Sequence, residues 1–321
     1  MPQSFFPITP VQIASQATQY VWADRNITTF GVPAGVATGA VVYINNSDPG
    51  VRPWGIRKKG SADARFQNMS GNAHCWGIVG VDTSGILQFR NDNAGIPGYV
   101  ELWLVGYTRT GVTMLTNGVA IGPPGLGAWG DIDLSAQLPA GALGAIVEVY
   151  AFGALPTAWG LRQKGSADNR ISNTLNRKNQ FTAIIGCDAN RIIEGYRDNV
   201  NTEFYLVGYI TDGATFYLNA VDMTIVSIGG VWQTCPNLVP ANGVMAFIEI
   251  DAGAGVADSV RKDAGFSRLY GVKNHAWGIV QPNASRQIQA IRTNAATTFS
   301  MTGYAHFTPP TVQTLAATGV T

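Results

Sequence analysis

The residues of this chain most able to do chemistry sit in one string that occurs twice. Trp54 to Arg65 reads WGIRKKGSADAR, and Trp159 to Arg170 reads WGLRQKGSADNR. Arg57, Asp63 and Arg65 thus recur as Arg162, Asp168 and Arg170. Two arginines, lysine and an aspartate around a Lys-Gly turn could grip an acidic sugar or a phosphate. The same residues also suit a structural turn, in which the aspartate accepts from turn amides or pairs with the arginine two residues on. The structural reading is preferred, because a degraded third copy from Asp258, DSVRKDAGFSR, keeps the strand start and loses the turn. Arg90, Arg197 and Arg292 read as one equivalent strand position, each expected to meet a carboxylate such as Asp63 or Asp168.

Other catalytic constellations are missing from the sequence. There is no HExxH, CxxC, GxSxG or Walker loop, and no histidine pair at ligand spacing. His74 and His275 occupy equivalent places, but the middle copy has Gln180, so a histidine site common to all units is excluded. Glu101, Glu148, Glu194, Glu203 and Glu249 could supply a glycosidase pair from distant strands, yet none lies in a motif. The expectation is a non-enzyme with no catalytic residues, metal ligands or cofactor.

These residues are carried by a larger repeat. VPAGVATGAVVYI (Val32 to Ile44), LPAGALGAIVEVY (Leu138 to Tyr150) and VPANGVMAFIEI (Val239 to Ile250) precede the string. ELWLVGYT, EFYLVGYI and TFSMTGYA follow it, and each unit opens near a tryptophan: Trp22, Trp129 and Trp232. Units of about a hundred residues are too long for solenoid turns. Short Val, Ile, Tyr and Trp runs between Gly, Asn, Asp and Pro clusters read as strands, with no helical period. The expected architecture is therefore all-β: three tandem homologous β-sandwich domains, jelly-roll or immunoglobulin-like, over 1–115, 116–218 and 219–321.

Strict alternation assigns faces. Leu102, Leu104 and Gly106 read as core; Trp103, Val105 and Tyr107 form an outward strip, repeated as Tyr205, Val207 and Tyr209. The third copy, Ser300, Thr302 and Tyr304, has less apolar bulk and is expected to be more open to water. The two apolar strips mark candidate contacts with another domain or chain. Trp76, Trp103 and Trp277 are the candidate sugar-stacking rings of an alternative reading.

Composition narrows the partners. Of 321 residues, 13% are charged, with Lys+Arg 21 against Asp+Glu 20, so no basic surface for nucleic acid is expected. No apolar run reaches the ~20 residues of a membrane span, and the N-terminal segment lacks the basic start of a signal peptide. The 3 cysteines cannot form a disulfide framework and suit free thiols in a reducing cytoplasm.

The repeated units, low charge, Gly/Asn/Thr/Ala-rich turns and the WGIRKKGSAD and YLVGY strings resemble virion structural proteins of tailed bacteriophages. That resemblance implies a capsid decoration, cement or fibre component, made in the host cytoplasm and located in the virion. Its partners would be neighbouring virion proteins and further copies of itself. The alternative it implies is a tail adhesin binding a host surface glycan.

Overall fold

The computed structural model describes residues 3–14, 21–91, 99–122, 125–152, 157–173, 179–252, 258–262 and 275–307. Strands form where β-branched and aromatic runs lie between turn residues. The first repeat supplies β1 (Phe5–Ala14), β2 (Ala23–Asn26), β3 (Gly39–Asn46), β4 (Arg52–Lys58), β5 (Gln67–Met69), β6 (Ala73–Gly80), β7 (Ile86–Asn91) and β8 (Val100–Thr108). The second supplies β9 (Val112–Ile121), β10 (Gly130–Asp133), β11 (Gly144–Ala151), β12 (Ala158–Gln163), β13 (Ser172–Asn173), β14 (Asn179–Gly186), β15 (Ile192–Arg197) and β16 (Thr202–Ile210). The third supplies β17 (Ala214–Asp222), β18 (Gln233–Thr234), β19 (Gly243–Asp251), β20 (Ser259–Arg261), β21 (His275–Val280), β22 (Gln289–Ile291) and β23 (Thr298–His306). A single 3-10 turn, Ile27–Phe30, capped by the Asn26 side chain, is the one helical element among the described residues. No helix among them is long and apolar enough to cross a membrane.

The expectation of three tandem β-sandwich domains, jelly-roll or immunoglobulin-like, is corrected by the packing. The strands form six small sheets. One apolar cluster runs through all three repeats, joining Val41, Tyr43, Trp76 and Ile78 of the first to Ile146, Phe247 and Ile279 of the others. A separate cluster remains only in the first repeat, with Leu102, Leu104, Trp54 and Phe89. Alternation gives each expected domain one core face per sheet and a solvent-facing second face. In fact β3 and β6 are buried along their whole length, on both faces. β6, β14 and β21 meet one another at the centre, so the repeats share their interior. Six small sheets match a six-bladed β-propeller in number. The strand order differs from a propeller meander, since each sheet draws on strands that are not consecutive: β1-β8-β3-β6 and β2-β7-β4-β5 in the first repeat. The same interleaving recurs in the second repeat as β9-β16-β11-β14 and β10-β15-β12-β13, and in the third as β17-β23-β19-β21 and β18-β22-β20. The divisions at 115/116 and 218/219 fall inside β9 and β17, which pair within the second and third repeats.

Strict alternation also fails in the strands carrying the LVGY string. On β3, Val41 pairs with Gly106 and Val42 with Leu104, leaving Val105 as an extra residue. The same register shift leaves out Val207 opposite β11 and Thr302 opposite β19. A bulge reverses the facing of whatever follows it. Tyr107 therefore joins the core of the first repeat, where it stacks on Phe6 at 5.0 Å and 10°. Gly106 instead faces the third repeat, where a Cβ would lie 3.0 Å from Met245 Cε.

Candidate functional site at the repeat seams

The turn after β4 reaches out of its own repeat. Gly60 at its apex has φ +84°, a conformation that suits glycine, and Gly165 in the second copy has the same value. The Asn117 side chain on β9 accepts from the backbone N–H of Ala62 at 2.8 Å and lies 3.0 Å from Ser61 Oγ. The Asp63 carboxylate accepts from the Gly118 N–H at 2.7 Å and from Arg65 at 3.0 Å. Arg65 then donates to Glu148 on β11 at 2.5 Å and lies 4.1 Å from the Tyr205 ring centroid. Every one of these contacts except Asp63–Arg65 joins the first repeat to the second.

The second copy repeats the arrangement one seam further on. Asn219 on β17 accepts from Ala167 at 2.8 Å, and Asp168 accepts from Ala220 at 2.8 Å and from Arg170 at 3.0 Å. Arg170 donates to Glu249 on β19 at 2.6 Å. Burial works against the charges of Arg65 and Arg170. Their carboxylate partners outweigh it and hold both guanidinium pKa values above the ordinary arginine value. Burial likewise works against Asp168, but Arg170 and the Ala220 amide hold its pKa below the usual carboxylate range.

Two of the three histidines also lie between repeats. His275 is fully buried, with Nε2 2.6 Å from Glu249 Oε1 and Nδ1 3.2 Å from the Trp159 carbonyl of the second repeat. Its ring stacks on Trp159 at 4.3 Å and on Trp277 at 4.9 Å. His74 of the first repeat lies 2.9 Å from Ser259 Oγ of the third. At the level of Glu148 and Glu249 the first repeat carries Tyr43, whose ring meets Trp76 edge-on at 5.3 Å. The third copy's turn lies outside the described residues.

The rings proposed for sugar stacking are corrected by their burial. Trp76 is 5% exposed and Trp277 1%. Trp103 packs partly buried against the shared core and donates from Nε1 to Glu101 at 3.1 Å. A tryptophan on a strand's second face looks exposed in sequence, but here the neighbouring repeat supplies the cover. Val105 is buried, Val207 and Tyr209 pack partly buried against the core that the repeats share, and Tyr205 is half-buried under the Arg65 guanidinium. The third strip is not the open one, since Ser300 is buried and Thr302 and Tyr304 are half-buried.

Two further readings change. Arg57 pairs across strands with Gln88, Arg162 with Glu194 and Arg261 with Gln289, which makes Tyr196, not Arg197, the counterpart of Arg90. Arg197 and Arg292 donate to backbone carbonyls of Thr202 and Ile225 rather than to Asp63 or Asp168. Arg90 lies over the Phe66 ring at 3.9 Å. The sequence reading also missed what Trp22, Trp129 and Trp232 do. They stand on the outer sheets with Arg57, Arg162 and Arg261 stacked 4.3, 4.2 and 4.0 Å from their rings. The signal available was their recurrence at the start of each unit.

Among the described residues no group of histidine, cysteine, aspartate or glutamate is arranged to hold a metal ion. No protein-family model matches the chain, and no curated protein matches it as a relative.

Proposed function

We propose that the chain is a non-enzymatic structural protein of a virion, a decoration, cement or fibre component acting through protein contacts. The observation that carries this reading is where the motif charges go: Arg65, Asp63, Arg170 and Asp168 join one repeat to the next. Glu148, Glu194 and Glu249, three of the five glutamates available for acid–base work, each lie against an arginine. A carboxylate engaged by a guanidinium in this way is already occupied and is not free to meet a substrate.

The shared interior ties the repeats together, and the surface offers places for contact. Val226 is 93% exposed, with Ile228 and Val231 beside it also exposed, an apolar segment of the kind that marks protein contacts. The partners proposed are neighbouring virion proteins and further copies of the chain. Gold-labelled antibody against the chain, applied to purified particles in the electron microscope, tests the proposal. Regular decoration of particles is the expected result. Unlabelled particles, with the protein left in the soluble fraction of the producing cells, overturn it.

A further inference from the structure

We infer that the outer face of the sheet β10-β15-β12-β13 holds one site for a neutral glycan, built on Trp129 and Tyr196. The inference is independent of the structural role proposed above. The two rings are partly exposed, with centroids 5.9 Å apart and planes at 54°. Rings in such tilted contact pack against each other and together form an apolar ledge, on which the C–H face of a sugar ring can lie.

Trp129 is held in place before any ligand arrives. Its indole lies over Gly160, where a Cβ would come within 2.8 Å of the ring. Its Nε1 donates to Asn169 Oδ1 at 2.8 Å, and the Arg162 guanidinium lies 4.2 Å from the ring centroid. A ring fixed in this way loses little freedom on binding.

The surrounding groups select the ligand class. Asp131 and Lys164 have side chains 49% and 36% exposed, and Asn169 is exposed, so acceptor, donor and amide groups for hydroxyls stand nearby. Arg162 pairs with Glu194 at 2.6 Å and Lys164 with Asp131 at 2.5 Å. The four charges cancel, so these pairs add no net charge to draw a phosphate or an acidic sugar. A ligand with hydroxyls, apolar ring faces and no charge fits both features.

In the other two outer sheets the place of Tyr196 is taken by a residue without an aromatic ring. Opposite Gly160 on the neighbouring strand stands Tyr196, whereas Gly55 faces Arg90 and Ser259 faces Ile291. Among the described residues the ring pair occurs at this one place, so one site per chain is inferred.

The test is an array of neutral and acidic glycans probed with the full chain, then calorimetric titration of the strongest neutral oligosaccharide on it. The expected result is saturable binding at one site per chain, weakened at least about tenfold by Tyr196→Ala and by Trp129→Ala. Trp22→Ala and Trp232→Ala should leave it unchanged. Should Trp129→Ala fail to fold, Tyr196→Ala decides alone, because the Tyr196 side chain is partly exposed. No saturable binding to any neutral glycan, binding to acidic glycans only, or binding that survives Tyr196→Ala in the folded protein would overturn the inference.

Discussion

Arg65 and Glu148 are 83 residues apart in sequence and joined by a 2.5 Å ion pair across the seam between the first two repeats. Both side chains are largely buried, at 13% and 10% exposure. Removing one partner of a buried pair leaves the other charge under-compensated and typically costs about 3–5 kcal/mol; Arg65 keeps Asp63 as a second partner at 3.0 Å, which places this site at the low end. Removing both costs less. Glu148→Gln should therefore destabilise the protein strongly in urea titration, and Arg65→Met combined with Glu148→Leu should recover much of the loss. Equal stability of Glu148→Gln and the parent would show that the seam does not depend on this pair.

That pair also shows how much could be read beforehand. The recurrence of Arg57, Asp63 and Arg65 is plain in the sequence, and so is the match between Glu148 and Glu249. Even the pairing of Asp63 with Arg65 and of Asp168 with Arg170 follows from a two-residue spacing. What pattern alone could not supply is the partner of each arginine, because Glu148 and Glu249 lie on strand faces that alternation assigns to solvent. Such a face reads as exposed until another repeat is placed on it, and nothing local announces that placement. The bulges at Val105, Val207 and Thr302 are hidden for a different reason: a strand with one extra residue keeps its apolar composition while reversing its facing. Glycine at 106, 208 and 303 was the available signal, since each sits beside the bulge where another backbone approaches closely.

Acid should loosen the second seam. The Asp168 pKa is lowered from 3.8 in the folded protein, with burial opposing and Arg170 and the Ala220 amide prevailing. A carboxyl with a depressed folded pKa stabilises fully above its unfolded value, and the contribution is lost as pH falls through the folded one. Melting temperature should hold from neutral pH down to the unfolded value and then drop as Asp168 protonates. Asp168→Asn should melt lower at neutral pH and show a shallower fall below pH 3.8. Parallel pH profiles for the two proteins would count against this role.

The three cysteines, Cys75, Cys187 and Cys235, are free and buried. Burial pushes the Cys187 thiol up to about 11 and the Cys235 thiol up to about 12, and raises Cys75 further still. Thiolate is the reactive species, so all three should be inert at neutral pH. A bulky maleimide should label none of them in the native protein on the timescale that labels all three in guanidinium. Fast native labelling of Cys75 would contradict its place in the first repeat's core.

Gly160 ties the outer tryptophan to the seam. A Cβ there would lie 2.5 Å from the Arg170 carbonyl oxygen and 2.8 Å from the Trp129 ring. The ring could tilt away, but the carbonyl is backbone of the residue that holds Glu249, so relief must come from moving the turn. Overpacking of this kind costs about 1–3 kcal/mol. Gly160→Ala should therefore lower stability in urea by that amount, and should also weaken the effect of a further Arg170→Met substitution, because the arginine is already displaced. Gly55→Ala should act likewise at the first seam, where the Arg65 carbonyl would be 2.9 Å from the new carbon. Gly122→Ala serves as the control, since nothing lies within 4 Å of its Cβ position. Urea titration of the single and double variants separates the outcomes: additive losses for Gly160→Ala and Arg170→Met would mean that Gly160 makes room for the tryptophan alone and does not position the arginine.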